Sequence, residues 1–465
     1  MLRRFWPWLA AAALVAGFLA RSIEVRTDGD PRPVGGADDV AALAQRDDLN
    51  VLFILIDTLR ADRLGAWGYE RDTSPTLDRL ASTGIRLSRH LAQSSWTKCS
   101  MASLWSSLHP PRSGVTRFDH VLPSEARLPA EILRDAGYRT ASVYRNGWVA
   151  PNFGFSQGFE VYHRPAPRSL LPSERRERPG LRVDSTDTSA VESAIAFLRA
   201  YADQRWLLYL HLMDVHEYVY DEASAVFGPS YSDVYDQAIL RINRVLDPLV
   251  QQVWRDRSLA ARTLIVVASD HGEAFLERGQ EGHARNVYPE VTEIPLVIAL
   301  PFRLEPGIAI RERTQNVDVW PTLLALLGLP PLEPSDGRSL LPEILAAARR
   351  EPEAEPDAPR SAFAYLDRSW GQAGQAARPQ VAVARGEQRL VLSRSPEARE
   401  ELFDRRGDRL ETRDVSAEQP EIALALRSEA ESYLAAKPPW DESVPRVELD
   451  EMELNQLRAL GYSLP

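Results

Sequence analysis

The sequence predicts an α/β fold, in which a mixed, mostly parallel sheet is flanked by helices and followed by a small C-terminal α+β module. From residue 49 onward, short apolar runs typical of buried strands alternate with segments of helical periodicity. Such alternation predicts a mostly parallel sheet with helices on both faces. Beyond an acidic, proline-rich stretch at 351–359, the strand-like runs follow one another closely, which predicts a small antiparallel sheet.

The predicted elements follow in chain order. Apolar runs of strand length predict strands at 50–56, 85–91, 139–144, 206–212, 263–269 and 294–300. Apolar residues at helical spacing, or a glycine after the last turn, predict helices at 76–83, 98–108, 124–136, 190–201 and 232–255. In the C-terminal module, strands are expected at 362–366, 381–384 and 389–393, and a helix at 420–436.

The amino terminus carries a candidate membrane anchor. Arg3 and Arg4 precede an apolar run from Phe5 to Ala20. A charged segment followed by a short apolar one is typical of an export signal, but the bulky Phe18 makes cleavage after Ala20 unfavourable. We therefore expect residues 1–23 to remain as an anchor, with the body of the protein outside the cytoplasm, in the periplasm or on the cell surface.

Composition predicts the other boundaries. Residues 24–48 are rich in Asp, Gly and Pro and predict a linker, and residues 163–182, rich in Arg and Pro, predict an insertion loop. The expected order is then a catalytic domain at 49–345, a linker at 346–360, a small subdomain at 361–438 and a tail at 439–465.

Charge and cysteine content exclude two classes of function. The net charge of -11 argues against nucleic acid as a partner, because phosphate binding requires a basic surface. Cys99 is the single cysteine, which excludes an internal disulfide and a metal site built from cysteines. The oligomeric state does not follow from these properties.

Acidic side chains follow two of the predicted strands. Asp57 comes directly after the strand at 50–56, and Asp270 with His271 follows the strand at 263–269. The carboxyl ends of parallel strands share one edge of a sheet, where α/β folds place their sites, and carboxylate with imidazole binds divalent metals. A hydroxyl-rich turn, Ser95–Ser103, supplies a candidate nucleophile between them. The combination predicts a metallohydrolase.

The chain resembles the sulfatases and sulfatase-like hydrolases of the alkaline phosphatase superfamily. The motifs that carry the resemblance are Asp57–Asp62, Ala102-Ser103-Leu104, His211–His216, Ser269–Glu273, Gly282-His283, Val317–Thr322, Asp336–Leu340 and Glu401–Asp404. The resemblance implies the alkaline-phosphatase-like fold, a mixed sheet flanked by helices with a small C-terminal domain.

The nucleophile position departs from the sulfatase pattern. In sulfatases a cysteine, oxidised to formylglycine, opens a C-x-P-x-R motif that is followed by a small-Ser-Leu stretch. Counting back five residues from Ala102 leads to Thr97, and in this register Cys99 and Met101 stand where the family has Pro and Arg. Cys99 lies two residues out of register and is itself followed by Met101 and Ser103 in place of Pro and Arg. The resemblance therefore implies a threonine nucleophile, and no formylglycine is expected.

The same resemblance implies a metal site. Its ligands would be Asp57, Thr97, Asp270 and His271. Sulfatases have a second Asp where this chain has Thr58 and commonly an Asn where it has His271. Fewer carboxylates and an imidazole favour manganese or zinc over calcium.

The remaining candidates are expected to contact the anionic ester substrate. His216 and His283 match histidine positions of the family motifs, and we expect them to be catalytic, by protonating the leaving group or binding anionic oxygens, although help in holding a second metal stays open. Asn146 and Arg145, after the strand at 139–144, are candidate substrate-binding residues. His211 is expected to be a structural histidine within its strand.

The predicted function is metal-dependent hydrolysis of phosphate, phosphonate or sulfate esters through Thr97. A threonine phosphoester can be released by a second displacement, whereas a threonine sulfoester lacks the hemiacetal route that formylglycine offers, so phosphoesters or phosphonates are favoured. The alternatives are a sulfuric ester hydrolase proper, a transferase of phospho groups to an alcohol, and a catalytically silent protein that binds anions or glycans.

Overall fold

The computed structural model describes residues 30–165, 186–352, 359–372, 375–394, 398–440, 443–449 and 451–458. Arg32–Pro465 forms one compact unit, and the other unit, Met1–Pro31, lies almost entirely outside the described residues. The predicted anchor at 1–23 and most of the predicted insertion at 163–182 also lie outside them, so both stay predictions. Among the described residues, no helix is long and apolar enough to cross a membrane.

The described strands are β1 Val34–Gly35, β2 Asn50–Ile56, β3 Ile85–Leu91, β4 Arg139–Tyr144, β5 Val161–His163, β6 Trp206–Leu212, β7 Thr263–Ala268, β8 Ala274–Phe275, β9 Glu281–Gly282, β10 Glu293–Ala299, β11 Arg303–Leu304, β12 Ile308–Gln315, β13 Ala362–Asp367, β14 Pro379–Arg385, β15 Gln388–Ser393 and β16 Arg399–Asp404.

The described α-helices are α1 Ala37–Ala42, α2 Pro75–Ser82, α3 Thr97–Ser106, α4 Pro110–Ser113, α5 Pro129–Asp135, α6 Asp187–Ala200, α7 Tyr231–Arg255, α8 Arg257–Ala260, α9 Pro289–Thr292, α10 Val319–Leu326, α11 Leu341–Ala348, α12 Pro420–Ala435 and α13 Glu451–Arg458. Among the short 3-10 turns between them, Gly147–Val149 follows β4.

The central sheet of the described chain has the strand order β12-β3-β10-β7-β2-β6-β4-β5. Every neighbouring pair is parallel except those that β10 forms with β3 and β7, which are antiparallel. Seven strands therefore run in one direction and β10 runs against them. This arrangement confirms the predicted mixed, mostly parallel α/β sheet.

The central strands β2, β6 and β7 are buried along their whole length, as their continuous apolar runs predict for strands covered on both faces. On one face Phe53 stacks on Trp320, with 5.3 Å between ring centroids, and both belong to one hydrophobic cluster. On the other face Ile54 belongs to a second cluster, to which α7 contributes Ile239. The sheet thus separates two cores.

Two local predictions need correction. The helix predicted at 124–136 begins only at Pro129, because proline suits the first helical position and the Glu131 carboxylate accepts the Leu128 amide at 2.8 Å. In the segment at 24–48, whose composition indicated loop structure, the described residues include β1 and α1, with the side chain of Val40 buried.

The C-terminal module contains an antiparallel sheet with the order β13-β14-β15-β16. Helix α12 packs against β14 and β15. Three of these strands and the helix match the predicted elements, and β16 is an addition. This module belongs to the same compact unit as the large sheet, and the domain boundaries within that unit stay predictions.

Candidate active site

The predicted metal ligands and the predicted nucleophile meet at the carboxyl edge of the central sheet. Asp57 directly follows β2, Asp270 and His271 follow β7, and Thr97 begins α3 after β3. All four side chains are completely buried. The structure therefore brings together residues that the chain separates by more than 200 positions.

The two oxygens of the Asp57 carboxylate have different surroundings. Oδ2 accepts hydrogen bonds from Asn146 Nδ2 at 2.6 Å and from His211 Nε2 at 3.0 Å. Oδ1 is buried and has no hydrogen-bond partner among the described residues. The first oxygen is thus fixed by donors, and the second is free to bind a cation.

Asp270 repeats this pattern. Its Oδ1 accepts the backbone amides of Thr58, at 3.2 Å, and of His271, at 2.9 Å. Thr58 reaches this position in a left-handed backbone conformation with φ of 60°, which is uncommon for a β-branched residue. Oδ2 is buried without a hydrogen-bond partner in the described chain and lies 3.3 Å from His271 Nε2.

Electrostatics at this site favour a bound cation. Burial raises the pKa of Asp270 to about 7, and the neighbouring charge of Asp57 adds to the effect. For Asp57, burial is outweighed by the hydrogen bond from His211 and the nearby imidazoles of His216 and His271, which hold its pKa well below the usual range. Two buried carboxylates with one unengaged oxygen each are a donor set that fits a divalent metal.

His211 lies in the same group, which the sequence interpretation did not predict. One of its nitrogens and oxygens of Asp57 and Asp270 all lie within 4.8 Å of one another. Its Nδ1 lies 2.8 Å from the Tyr209 hydroxyl and its Nε2 lies 3.0 Å from Asp57. With Nε2 donating to the carboxylate, His211 orients Asp57, and this nitrogen has no lone pair left for a cation.

Thr97 is in direct contact with His271. Thr97 Oγ1 lies 3.0 Å from His271 Nε2, and His271 Nδ1 lies 3.0 Å from the Gly272 carbonyl oxygen. A carbonyl accepts only, so Nδ1 carries the proton and Nε2 presents its lone pair to the hydroxyl. The first position of α3 also places the hydroxyl at the positive end of a helix.

Cys99 has different surroundings from Thr97. Two residues along an α-helix correspond to a rotation of about 200°, so the two side chains leave α3 on nearly opposite sides. Cys99 packs into the larger hydrophobic cluster, and burial raises the pKa of its thiol to about 12.

His216 and His283 lie together beside the carboxylate pair. The His283 ring is 4.9 Å from that of His216 and 4.5 Å from that of His271, between centroids. His283 Nδ1 lies 3.2 Å from the Glu273 carboxylate, while neither nitrogen of His216 has a hydrogen-bond partner among the described residues. Burial lowers the pKa of His283 to about 4 and raises that of Glu273 to about 7.

Arg145 is held by carboxylates rather than directed at this group. Its guanidinium contacts Asp187 at 2.7 Å, Asp214 at 2.6 Å and Glu217 at 2.6 Å. These contacts fix the loop after β6, which carries His216. The substrate contact predicted for Arg145 stays a prediction, as does that of Asn146, whose amide donates to Asp57.

Sequence reasoning missed His211, the Thr58 amide and Glu273 as parts of this group. His211 looked like an ordinary strand residue, but parallel pairing of β6 with β2 places it opposite Leu55, two residues before Asp57. The strand order was needed to see this proximity. Glu273 belongs to the Ser269–Glu273 motif, but its position in the sequence gave no indication that it contacts His283.

Known proteins share both sequence and fold with this chain. The family model described as Sulfatase matches residues 49–329. The steryl-sulfatase of Mus musculus is 24% identical over 451 residues, which cover 72% of this chain and 70% of that protein. The solved structure of a phosphonate monoester hydrolase of Agrobacterium radiobacter superposes with a TM-score of 0.66 at 21% identity, covering 83% of this chain and 95% of that one.

A 2-O GAG sulfatase structure likewise has a TM-score of 0.66 at 17% identity, covering 83% of this chain and 92% of that one. These likenesses agree with the mixed, mostly parallel sheet described above. The family model spans well over half of the chain, and the protein therefore belongs to the Sulfatase family of ester hydrolases.

Proposed function

We propose that the protein cleaves phosphate or phosphonate esters with Thr97 as its nucleophile. The observation that carries the proposal is the contact of 3.0 Å between Thr97 Oγ1 and His271 Nε2, beside the unengaged oxygens of Asp57 and Asp270. The distance of five residues between Thr97 and Ala102, counted as in the family motif, also supports Thr97 as the nucleophile. Cys99 is buried in the hydrophobic core and does not share this environment.

Asp57, Asp270, His271 and Thr97 would hold a divalent metal ion. When bound, such an ion lowers the pKa of a coordinated hydroxyl and neutralises negative charge in the reaction centre. This set of ligands, with two carboxylates and an imidazole, favours manganese or zinc over calcium.

The chain's own residues account for the rest of the reaction. Thr97 Oγ1 loses its proton to solvent and forms a bond to phosphorus as the bond from phosphorus to the leaving oxygen breaks. His216 and His283 donate N–H hydrogen bonds to the departing oxygen, which then takes up a proton from water. Asn146 and His211 keep the Asp57 carboxylate oriented throughout. The covalent threonine ester is then released by water in a second displacement.

Phosphorus is favoured over sulfur because of that second step. A threonine phosphoester or phosphonoester can be attacked again at phosphorus. A threonine sulfoester is harder to release, because threonine lacks the hemiacetal breakdown available to formylglycine. Relatives named for sulfatase and for phosphonate monoester hydrolase activity exist side by side, so their names do not decide between the two.

The test compares Thr97→Ala and Cys99→Ser in the metal-loaded protein. Turnover of an aryl phosphodiester, an aryl phosphonate monoester and an aryl sulfate is measured for each. Thr97→Ala should lose essentially all activity, by about 10⁶-fold as for other covalent nucleophiles, whereas Cys99→Ser should retain most of it. Intact mass should show an unmodified cysteine.

An aldehyde at Cys99, or an inactive Cys99→Ser variant together with an active Thr97→Ala variant, would reject the threonine nucleophile. Either result would indicate a sulfatase that uses formylglycine at position 99. Faster turnover of the sulfate than of either phosphorus ester would favour a sulfuric ester hydrolase. Transfer of the phospho group to added glycerol would indicate a transferase. If none of the esters is hydrolysed, the result would support a catalytically inactive protein that binds anions or glycans.

We also propose an extracytoplasmic location with the amino terminus as anchor, from Arg3, Arg4 and the apolar run that follows them. Fractionation of the full chain and of a variant that starts at residue 24 tests this. Only the full chain should sediment with membranes.

A further inference from the structure

An apolar surface borders the histidine side of the active site. It consists of Tyr218, Tyr231, Phe275 and Leu276, called here the aromatic rim. The Tyr231 ring lies 4.8 Å from that of Tyr218 and 5.4 Å from that of Phe275, between centroids. Tyr231 is 40% exposed and Leu276 is 59% exposed. Exposed apolar side chains grouped next to a site are a sign of binding rather than of packing.

Chain connectivity places the rim against the catalytic histidines. Tyr218 lies two residues after His216 in the same loop, and its side chain reaches the Glu273 carboxylate. The hairpin of β8 and β9 carries Phe275 and Leu276, and His283 directly follows its second strand. Both segments that supply a histidine to the site therefore supply an apolar group to the rim.

The backbone conformation of the rim supports a binding role. Tyr218 has φ of 54° and Leu276 has φ of 71°, so both bulky residues adopt the left-handed region. This conformation is strained for a residue with a side chain, and glycine would avoid the strain. At Leu276 no burial offsets it, because more than half of the side chain faces solvent. Packing in the core of the protein therefore does not account for a leucine at this position.

The charged side chains around the aromatic rim indicate which class of leaving group it can bind. The segment 217–231 carries Glu217, Asp221 and Glu222 and no lysine or arginine. The hairpin adds Glu277 and Glu281 on either side of a single arginine. Arg60 and Arg63 lie over the Phe275 ring, but both are already paired with carboxylates, and Glu217 and Asp221 are paired with arginines of their own. Repulsion of a substrate with further sulfate or carboxylate groups would therefore come from Glu222 and Glu281. The aromatic rim therefore suits a leaving group that is uncharged and apolar.

We infer that the substrate is an ester of an uncharged, apolar alcohol or phenol, whose leaving group packs on the aromatic rim. The inference rests on the proposed function, because it requires His216 and His283 to face the departing oxygen. The leaving group of the preferred substrate is therefore uncharged and apolar, and polyanionic glycans are poorer substrates.

The test uses three methylphosphonate esters, of phenol, of 4-phenylphenol and of 4-hydroxybenzenesulfonate. The first two leaving groups have similar acidity, so a difference between them reports contact with the second ring. Wild type should show kcat/KM about tenfold higher for the 4-phenylphenyl ester than for the phenyl ester, and lower for the sulfonated ester. Leu276→Ser and Tyr231→Ser should bring the first ratio close to one, mainly by raising KM for the larger ester.

Leu424→Ser is the matched control, because Leu424 is 61% exposed on α12, in the C-terminal module. Leu424→Ser should leave kcat/KM of the 4-phenylphenyl ester and of the sulfonated ester, each relative to the phenyl ester, unchanged. Equal kcat/KM for the phenyl and 4-phenylphenyl esters in wild type, or preference for the sulfonated ester, would overturn the inference while the proposed function stands.

Binding to Thr97→Ala separates the two hypotheses when turnover fails. This variant should bind the 4-phenylphenyl ester about tenfold more tightly than the phenyl ester in a calorimetric titration. Equal affinities reject the rim as a binding surface. Absence of turnover by wild type with every ester rejects the proposed function instead.

Discussion

Thr97 Oγ1 lies 3.0 Å from His271 Nε2, although 174 residues separate the two along the chain. The amino end of α3 and the carboxyl end of β7 therefore meet at one point. Because the Gly272 carbonyl fixes the proton on Nδ1, the lone pair of Nε2 and the threonine hydroxyl face the same small volume as the free oxygens of Asp57 and Asp270.

Metal should control the stability of the folded protein. A ligand that binds only the folded state at 100 times its Kd stabilises it by about 2.7 kcal/mol. Chelation should lower the Tm of wild type, and manganese or zinc should restore it more fully than calcium. Asp270→Asn should abolish this response and raise the Tm of the chelated protein, because it removes one of two buried charges. Differential scanning calorimetry measures both effects, and an unchanged response to chelator in wild type would reject the site.

The donors to Asp57 should determine metal affinity. Asn146→Ala and His211→Ala each remove one hydrogen bond to Oδ2. Loss of a group that orients a ligand typically weakens metal binding by about 10- to 100-fold. Calorimetric titration with Mn²⁺ measures the affinity. Tyr209→Phe, which removes only the hydroxyl next to His211 Nδ1, should weaken binding less. Equal affinity in all variants would mean that Asp57 needs no such orientation.

Gly272 should tolerate no side chain. A Cβ at this position would lie 2.3 Å from the Glu290 carbonyl oxygen, which belongs to the backbone and has little room to move. We expect Gly272→Ala to destabilise the fold by about 2–3 kcal/mol, because overpacking displaces the turn that carries His271. Denaturant unfolding gives the free energy. Gly407→Ala is the control, since nothing lies within 4 Å of a Cβ there, and a comparable loss in that variant would contradict the steric explanation.

Glu293 should make folding sensitive to acid. Burial opposes its ionisation, but the guanidinium groups of Arg405 and Arg313 outweigh burial and lower its pKa to about 2. Because the folded pKa is below the unfolded one, the stabilisation is complete above the unfolded value and is lost as the pH falls from about 5 toward 2. Glu293→Gln should lower the free energy of unfolding by about 2 kcal/mol at pH 7 and flatten its decline in acid.

Chemical unfolding between pH 7 and pH 3 measures this difference between wild type and variant. Glu192→Gln, at an exposed position on α6, is the control and should follow wild type throughout. Parallel curves for Glu293→Gln and wild type would show that the arginines do not stabilise the ionised carboxylate.

The local sequence pattern was sufficient to predict those elements whose side chains alone favour one secondary structure and its burial. The continuous apolar runs of β2, β6 and β7 predicted buried strands whose bounds agree with the structure to within one residue. Residues placed after those runs, Asp57 and Asp270, were predicted to share one edge because parallel strands end on the same side. The helix at 129–135 was harder, since the polar residues before Pro129 fit a helix or a turn equally well.

The direction of β10 and the role of His211 depended on tertiary structure alone. An apolar run has the same composition whether its strand runs parallel or antiparallel to its neighbours, so no local signal distinguished β10 from β7. His211 contacts Asp57 only because β6 pairs with β2 in one register. A sequence determines which residues prefer a strand end or a buried position. Which of them share a hydrogen bond is decided by strand order and register, which arise from packing of the whole chain.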